Sequence, residues 1–176
     1  ETGLSLGAYN VESSQVLVDH SRFGGTVNSI YADRGTLHRF ESNNLTGPVR
    51  LGGFYYCPYY GGSWCLRDWV FGNNSVNALG GRGLQIQYAR AGFYVDGNRI
   101  YNASAGIYFD NSQDVWVRNN TLAGVNIGLE FSSLYDTSFI RQDADSSNTA
   151  NGGTILVSID ATDVNLYDGA WHRMTA

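Results

Sequence analysis

Apolar and polar positions follow one another along this chain in a pattern that returns every 22 to 31 residues. In each return, an apolar residue is followed three positions later by a small polar residue and five positions later by a second apolar residue. The returns are Val18/Ser21/Phe23, Phe40/Asn43/Leu45, Phe71/Asn74/Val76, Val95/Asn98/Ile100 and Val117/Asn120/Leu122. A period of this length indicates a repeat architecture, in which each unit buries its apolar face against its neighbours.

A second set of positions supports the same period and selects among repeat architectures. Short alternating apolar stretches open at Ser29-Ile30, Gly83-Leu84, Gly106-Ile107 and Gly128-Leu129. A coil of this length accommodates three short strands with tight corners, whereas a leucine-rich repeat needs its consensus leucines and a propeller blade needs about forty residues. The sequence therefore predicts an all-β fold, a parallel β-helix (solenoid) of roughly seven coils.

Asparagine occupies the middle position in most of these repeats, at Asn43, Asn74, Asn98 and Asn120. Coils of a parallel stack lie about 4.8 Å apart, so equivalent side chains sit directly above one another. A side-chain amide both donates and accepts, and it can bond its copies above and below while it supports the corner backbone. Asparagine also tolerates left-handed backbone angles at a turn. We expect these residues to form a hydrogen-bonded structural ladder.

The repeats predict one β-helix domain over residues 1–176, with one expanded coil. Asn43 and Asn74 are 31 residues apart, whereas the other ladder steps are 22 to 24 residues. The extra residues form a loop in the third coil. A last coil is expected through Ile155, Val157, Val164 and Leu166. Neither end shows a capping element, which predicts a segment of a longer protein or an assembling unit whose ends meet copies of themselves.

Composition narrows the range of partners. The formal net charge is −5, and the 11 cationic side chains are all arginine because lysine is absent. This composition argues against a nucleic-acid partner, which usually requires a basic patch. No stretch is long and apolar enough for a membrane span, and the N-terminus lacks a signal pattern.

Two sequence features predict an extracellular or cell-surface location. Cys57 and Cys65 enclose a short loop with a Gly-Gly turn, and a disulfide between them implies an oxidising compartment. Two buried free thiols or a metal pair are the alternatives. N-glycosylation sequons occur at Asn44, Asn73, Asn102 and Asn119. Corners rich in asparagine and threonine also generate this motif by accident, so a glycoprotein is one of two interpretations.

The ladder coils, residues 114–122 above all, together with residues 13–20, resemble the pectate-lyase-like superfamily of right-handed parallel β-helices. The resemblance covers roughly residues 10–140, and residues 13–20 (SSQVLVDH) are similar to the strand that carries an Asp-His pair in pectate lyases. It implies a right-handed coil and a protein that cleaves, epimerises or binds polysaccharides. Residues 28–33 (NSIYAD) replace the acidic calcium-binding turn of those lyases, and no Arg-x-Pro-x-x-Arg segment is present. A true pectate lyase is therefore not expected.

Outward positions that follow the inward apolar residues supply the candidate catalytic groups. The column contains Asp19, Glu41, Gly72, Asp96, Arg118 and Arg141, of which Asp19, Glu41, Asp96 and Arg118 are the catalytic candidates. Asp19 and Glu41 are expected about 5 Å apart on adjacent coils. Their repulsion would raise one pKa or recruit a cation such as calcium, and either outcome serves acid/base catalysis or metal binding. Arg118 and Arg141 are expected to hold anionic sugars, and a mixed-sign solvated face is the alternative.

Aromatic side chains concentrate in the third-coil loop and just after it. The candidate substrate-binding residues are Tyr55, Tyr56, Tyr59, Tyr60, Trp64 and Trp69. Exposed rings suit sugar faces or protein contacts, and packing as a lid on the solenoid wall is the alternative. His38 falls in an inward column with Trp69 and Phe93, which predicts an interior histidine.

The sequence is consistent with two alternative functions. The first is a secreted protein that engages extended polysaccharide along its outer face, with a polysaccharide lyase or glycoside hydrolase as its enzymatic form. The second is a non-catalytic structural or adhesive module of an extracellular fibre that associates end to end. Neither requires a cofactor, and calcium is the candidate ion. The sequence therefore leaves both an enzyme and a non-catalytic protein open.

Overall fold

The computed structural model is a parallel β-solenoid, and each secondary-structure element in its described residues is a β-strand. The structure describes residues 2–6, 16–33, 37–52, 66–132, 141–160, 163–167 and 173–175. Strands are numbered in chain order. Most of them stack into three parallel walls, and the chain passes from the first wall to the second and then to the third in each coil.

The first wall contains β1 (Thr2–Leu6), β4 (Asn28–Asp33), β7 (Val49–Gly52), β11 (Arg82–Gln87) and β20 (Arg173–Thr175). The second wall contains β2 (Leu17–Asp19), β5 (Arg39–Glu41), β9 (Val70–Gly72), β13 (Phe93–Asp96), β15 (Gln113–Arg118) and the start of β17 (Arg141–Ala150). The third wall contains β3 (Arg22–Gly24), β6 (Asn44–Thr46) and β10 (Ser75–Asn77). Two long strands, β14 (Arg99–Asp110) and β16 (Thr121–Ser132), turn from the third wall into the first. The remaining strands are β8 (Leu66–Arg67), β12 (Ala89–Ala91), β18 (Gly153–Asp160) and β19 (Asp163–Tyr167).

Successive coils pair in register, so the inward apolar residues of the repeat form continuous columns. The second wall stacks Val18, Phe40, Phe71, Val95 and Val117, and the third stacks Phe23, Leu45, Val76, Ile100 and Leu122. From the second coil onward these side chains are at most 1% exposed. Burial of each stabilises the fold by roughly 1.5–3 kcal/mol relative to exposure. The predicted parallel β-helix is confirmed.

The four predicted ladder asparagines stack at the corner between the second and third walls, each at most 2% exposed. The amide Nδ2 of Asn43 donates to Oδ1 of Asn74 at 3.0 Å, and Asn74 donates in the same way to Asn98 at 3.1 Å. Asn98 continues the series to Asn120 at 2.9 Å. Each of these Oδ1 atoms also accepts from the backbone N–H of the preceding asparagine. The predicted ladder is therefore confirmed.

The ladder extends one coil further than the sequence predicts, to Asn148. Asn120 Nδ2 donates to Asn148 Oδ1 at 2.9 Å, and Asn148 Nδ2 donates to the carbonyl of Val117 at 2.8 Å. Asn148 follows its inward residue, Ala144, by four positions instead of three. This one-residue insertion, together with the small apolar side chain of alanine, hides the repeat in the sequence.

Residues with left-handed backbone angles turn the chain from the second wall to the third. They immediately precede the ladder positions and have φ between 46° and 67°: His20, Ser42, Asn73, Gly97 and Asn119. The left-handed residue is thus the neighbour of the ladder residue, because the ladder side chain must point inward. Asparagine and glycine recur at these corners because they adopt positive φ at low cost.

The C-terminal end differs from the predicted last coil, and the solenoid has about five turns rather than seven. After β17 the chain reverses at Asn151-Gly152, with φ of 49° and 86°. Asn-Gly is the preferred dipeptide for a two-residue hairpin turn with two positive φ angles. Strand β18 then pairs antiparallel with β17, and β19 pairs antiparallel with β18. The residues expected in a parallel coil lie in these antiparallel strands: Ile155, Val157, Val164 and Leu166.

Asn151 also covers backbone groups at this end of the stack, where the sequence shows no cap. Its Oδ1 accepts from the N–H of Val125 at 3.2 Å, and its Nδ2 donates to the Val125 carbonyl at 2.7 Å. A side-chain amide here takes the place of the backbone of a further strand. Buried or edge backbone groups need such partners, so the hairpin turn and its amide act as a cap.

We expect Asn98→Ala to lower the free energy of unfolding by about 2–4 kcal/mol, because the buried backbone N–H of Asn74 loses its acceptor and the carbonyl of Phe71 loses a donor. Urea denaturation monitored by circular dichroism measures the change. The matched control is Asn77→Ala, which removes a half-buried amide that accepts from Asn102 at the surface. The control should change stability by less than about 0.5 kcal/mol. Equal losses in the two variants would contradict a special role for the ladder.

Candidate functional site

The outer surface of the second wall carries the candidate catalytic residues in one column. Backbone pairing places Asp19 beside Glu41, Glu41 beside Gly72, and Gly72 beside Asp96. Asp96 in turn lies beside Arg118. The predicted order of these positions on successive coils therefore agrees with the backbone register.

Arg141, the expected last member of this column, lies elsewhere. It pairs with Gln113 because the register shifts at the start of β15. Arg118 instead contacts two acidic side chains of β17, with Nη2 at 2.5 Å from Asp143 Oδ2 and Nε at 3.0 Å from Asp145 Oδ2. Its Nη1 donates to the Asp143 carbonyl at 2.6 Å. This guanidinium is committed to contacts within the fold, so the expected pair of arginines for anionic sugars is not assembled.

The two stacked carboxylates at the start of the column each have a local partner. Arg39 donates from Nε and Nη2 to the two carboxylate oxygens of Glu41, both at 3.0 Å. The hydrogen bond to Glu41 and the charge of its carboxylate raise the pKa of the Arg39 guanidinium. Asp19 Oδ1 lies 2.7 Å from Nδ1 of His20. Glu41 thus has a donor on each oxygen and Asp19 has an imidazole nitrogen in contact, so neither carboxylate depends on a shared cation for a neighbour.

A stacked aromatic pair lies beside the acidic column. Tyr94 and Trp116 are register partners on β13 and β15, and their ring centroids are 4.8 Å apart with an angle of 15° between the planes. Tyr94 is 46% exposed and is the one aromatic side chain in the exposed class among those that the structure describes. Sequence reasoning missed this pair because it examined only the outward positions after each inward residue. The pair belongs to a second outward column, formed by the residues that immediately precede the inward ones: Leu17, Arg39, Val70, Tyr94 and Trp116.

The arrangement of the two rings decides which of their surfaces a ligand can reach. Nearly parallel rings only 4.8 Å apart must overlap face to face, so their faces point along the solenoid axis. Trp116 covers one face of Tyr94, and the other face is turned toward the coil of Val70. Val70 is small and half-buried, whereas Gly72 is buried and a Cβ there would lie 3.7 Å from Glu41 Oε1. The low part of this surface is therefore at Val70. We call this depression between Tyr94 and Arg39, floored by Val70, the saddle.

A cavity of about 310 Å³ adjoins the saddle on the side of the first coils. Among the described residues, those that line it are Val16, Leu17, Leu37, Arg39 and Asp68. Arg39 and Asp68 border both the cavity and the saddle, since Asp68 lies at the corner just before Val70. Leu17 is 63% exposed and Leu37 is 45% exposed. The site therefore combines accessible apolar surface with charged groups, as in many ligand-binding clefts.

Trp69 is the one predicted substrate-binding residue that lies in the described part of the chain, and its ring is fully buried. It packs 4.5 Å from the ring of His38 and 6.0 Å from that of Phe93. Trp69 immediately precedes β9 and points inward, as its place in the column of His38 and Phe93 predicts, so its ring presents no face to a ligand. His38 is also fully buried, and its Nδ1 accepts from the N–H of Val16 at 3.3 Å. This confirms the predicted interior histidine.

Several predicted residues lie outside the described ranges: Tyr55, Tyr56, Tyr59, Tyr60, Trp64, Cys57 and Cys65. The aromatic contact surface of the third-coil loop and the disulfide therefore stay predictions.

The sequon asparagines, Asn44, Asn73, Asn102 and Asn119, are all exposed. Three of them, Asn73, Asn102 and Asn119, have φ of 54° and occupy left-handed corners. Asn119 also donates through Nδ2 to Asp96 Oδ1 at 2.8 Å. Corner geometry alone accounts for asparagine at these three positions, and glycosylation stays a prediction.

The sequence names calcium as a candidate ion and contains no stretch long and apolar enough for a membrane span. Within the described ranges, no group of three or more His, Cys, Asp or Glu side chains is placed to hold a metal ion. Calcium binding stays a prediction. In the same ranges the structure has no helix with the length and hydropathy needed to cross a bilayer.

No protein-family model, curated protein or solved structure matches this chain. The resemblance to the pectate-lyase-like superfamily therefore consists of the parallel solenoid, and the functional interpretation depends on the site itself.

We expect Arg118→Ala to lower the free energy of unfolding by about 1–2 kcal/mol, because it removes both ion pairs and the bonds to backbone carbonyls. Thermal or urea denaturation at low and high salt checks this, and salt should shrink the difference. Arg22→Ala, at an exposed position of β3, is the matched control and should be nearly neutral. Unchanged stability in Arg118→Ala would leave this arginine available for a ligand.

Proposed function

We propose that this protein is a secreted β-helix that binds glycans on the outer surface of its second wall. The observation that carries the proposal is the open face of Tyr94 above the saddle, on a side chain that is 46% exposed. Aromatic rings bury the apolar face of a sugar at low entropic cost, and nearby polar groups fix its orientation. Arg39 and Asp96 supply such groups. The secreted, extracellular setting is inferred from the cysteine pair and the sequons.

Tyrosines on the first wall do not offer a comparable surface. The guanidinium of Arg82 lies 3.5 Å from the ring centroid of Tyr108, which is 7% exposed. Arg50 lies 5.6 Å from the ring centroid of Tyr31. An arginine thus accompanies each of these rings, whereas the neighbour of Tyr94 on its open side is Val70. This contrast favours the second wall as the binding surface.

The side-chain contacts favour binding over bond cleavage. A glycoside hydrolase needs two carboxyl groups directed at the scissile bond, and both oxygens of Glu41 are held by Arg39. A lyase needs a base that reaches a ring proton, and Arg118 is engaged by Asp143 and Asp145. We therefore propose that Asp19, Glu41 and Asp96 belong to a binding surface and not to a catalytic centre, and that Arg118 supports this surface through its contacts with Asp143 and Asp145.

The alternative, a module of an extracellular fibre, requires coils that add to one another at the ends. The ladder and the three walls favour such growth, since each parallel coil is a template for the next. Strand β18 runs antiparallel to β17, however, and Asn151 already bonds the backbone of Val125. The reversal interrupts the parallel template of the second and third walls at this end, while β20 continues the first wall in parallel. Two of three interrupted walls make end-to-end stacking the weaker proposal.

We expect Tyr94→Ala to weaken glycan binding by at least about tenfold, which corresponds to about 1.4 kcal/mol. A panel of neutral, amino and uronate glycans identifies a ligand, and isothermal titration calorimetry compares the variants. Tyr101→Ala removes a ring from the third wall and should bind like the unmodified protein. The same incubations are assayed for reducing ends and unsaturated products, whose appearance would favour an enzyme. Absence of binding across the panel, together with end-to-end particles in electron micrographs, would favour the fibre module.

A further inference from the structure

We infer that the site takes a single neutral or cationic sugar ring, stacked on the open face of Tyr94, and not a run of uronate units along the solenoid axis. The inference rests on the proposed function and adds two properties of the ligand. One is its charge, which follows from the groups around the saddle. The other is the number of sugar rings in contact, which follows from the direction of the aromatic faces.

The saddle is surrounded by acidic side chains. The carboxylates on its borders belong to Glu41, Asp68 and Asp96, of which Asp68 and Asp96 are exposed. Arg39 is the cation at the edge of the saddle, and its Nε and Nη2 groups both donate to the Glu41 carboxylate. Arg118 is likewise engaged by two acids. Because Arg39 neutralises Glu41, the excess negative charge at the saddle comes from Asp68 and Asp96, and it has the same sign as the net charge of −5 for the whole chain.

This charge distribution disfavours uronates and favours ligands that donate hydrogen bonds. A uronate brought to the saddle would meet carboxylates of the same sign, and at least one of them would lose hydration without gaining a donor. Sugar hydroxyls donate well to carboxylates, and an ammonium group adds charge complementarity. The expected order of affinity is amino sugar, then neutral sugar, then uronate.

The geometry of the aromatic pair limits the number of rings. A sugar stacked on Tyr94 shares the orientation of that ring, so its plane lies across the solenoid axis. Tyr94 and Arg39 lie two coils apart, which leaves about 9.6 Å between their backbones. A stacked ring needs roughly 4 Å from the Tyr94 face, and the Arg39 side chain occupies part of the remainder. The gap thus accepts one ring.

Further units of a longer ligand leave the saddle along the strand direction. On one side they pass Asp96, and on the other they pass Asp68 toward the cavity of about 310 Å³. A second unit can contact the aliphatic lining of that cavity, whereas a third and a fourth have no aromatic face to stack on. Terminal sugars and short branches fit this geometry better than the middle of a linear chain.

The test compares three homologous probe series on the complete chain by isothermal titration calorimetry. The probes are glucosamine, N-acetylglucosamine and galacturonate oligomers, each from one to four units. The two non-anionic series should bind at least about tenfold more tightly than galacturonates at low salt, and this preference should fall as salt rises. Affinity should change less than about threefold between two and four units.

Tyrosine substitutions at two outward positions test the position of the sugar. Val70→Tyr fills the saddle with a residue that suits a strand, and it should weaken binding at least about tenfold. Ser75→Tyr places the same side chain on the outer face of the third wall and should bind nearly as the unmodified protein does. Circular dichroism and urea denaturation show whether each variant is folded. A double variant, Asp68→Asn with Asp96→Asn, should reduce the discrimination against galacturonates.

The outcomes separate this inference from the proposal on which it rests. Tighter binding of galacturonates, or an affinity that grows with every unit up to four, would overturn the inference while leaving glycan binding intact. Full affinity in Val70→Tyr would also overturn it, since the saddle would then be dispensable. Failure of all three series and of the wider glycan panel would contradict the proposed function itself.

Discussion

Hydrogen bonds between stacked asparagines hold successive coils of this protein in register. From Asn43 to Asn148, each buried amide donates to the next one and accepts from the preceding backbone, so the series leaves few corner groups without partners. A one-residue slip would break the ladder and would move the inward apolar residues to the surface. The ladder and the core thus select the same register, and the outward columns inherit it.

A fixed register constrains what the outer surface can do. Equivalent outward residues repeat about every 4.8 Å, so neighbouring side chains are within reach and tend to neutralise or cover one another. Glu41 bonds Arg39, Arg118 bonds Asp143, and Arg82 covers Tyr108. A surface that a ligand can reach therefore arises where a small residue interrupts a column of outward side chains.

The sequence was most informative where one residue type serves one backbone requirement. The spacing of Asn43, Asn74, Asn98 and Asn120 predicted the ladder, and with it the columns, because buried amides must bond one another. Features that depend on side-chain partners were not predictable: the pairing of Arg118 with Asp143 and Asp145, and the overlap of Tyr94 with Trp116. Arg90 is a further case, since it is 9% exposed and burial lowers its pKa to about 10, although nothing in its local sequence marks it as an interior residue.

The third coil concentrates the departures from regularity, and this location has a physical reason. Its ladder step of 31 residues is the longest, and its outward positions are Val70 and Gly72, between coils that carry Arg39 and Tyr94. Insertions at a corner leave the parallel pairing above and below intact, so a solenoid tolerates them better there than within a wall. A small outward residue costs little core packing, because its side chain lies outside the core. The third coil therefore combines the longest ladder step with small outward residues and still keeps the ladder, and the proposed ligand site lies on this coil.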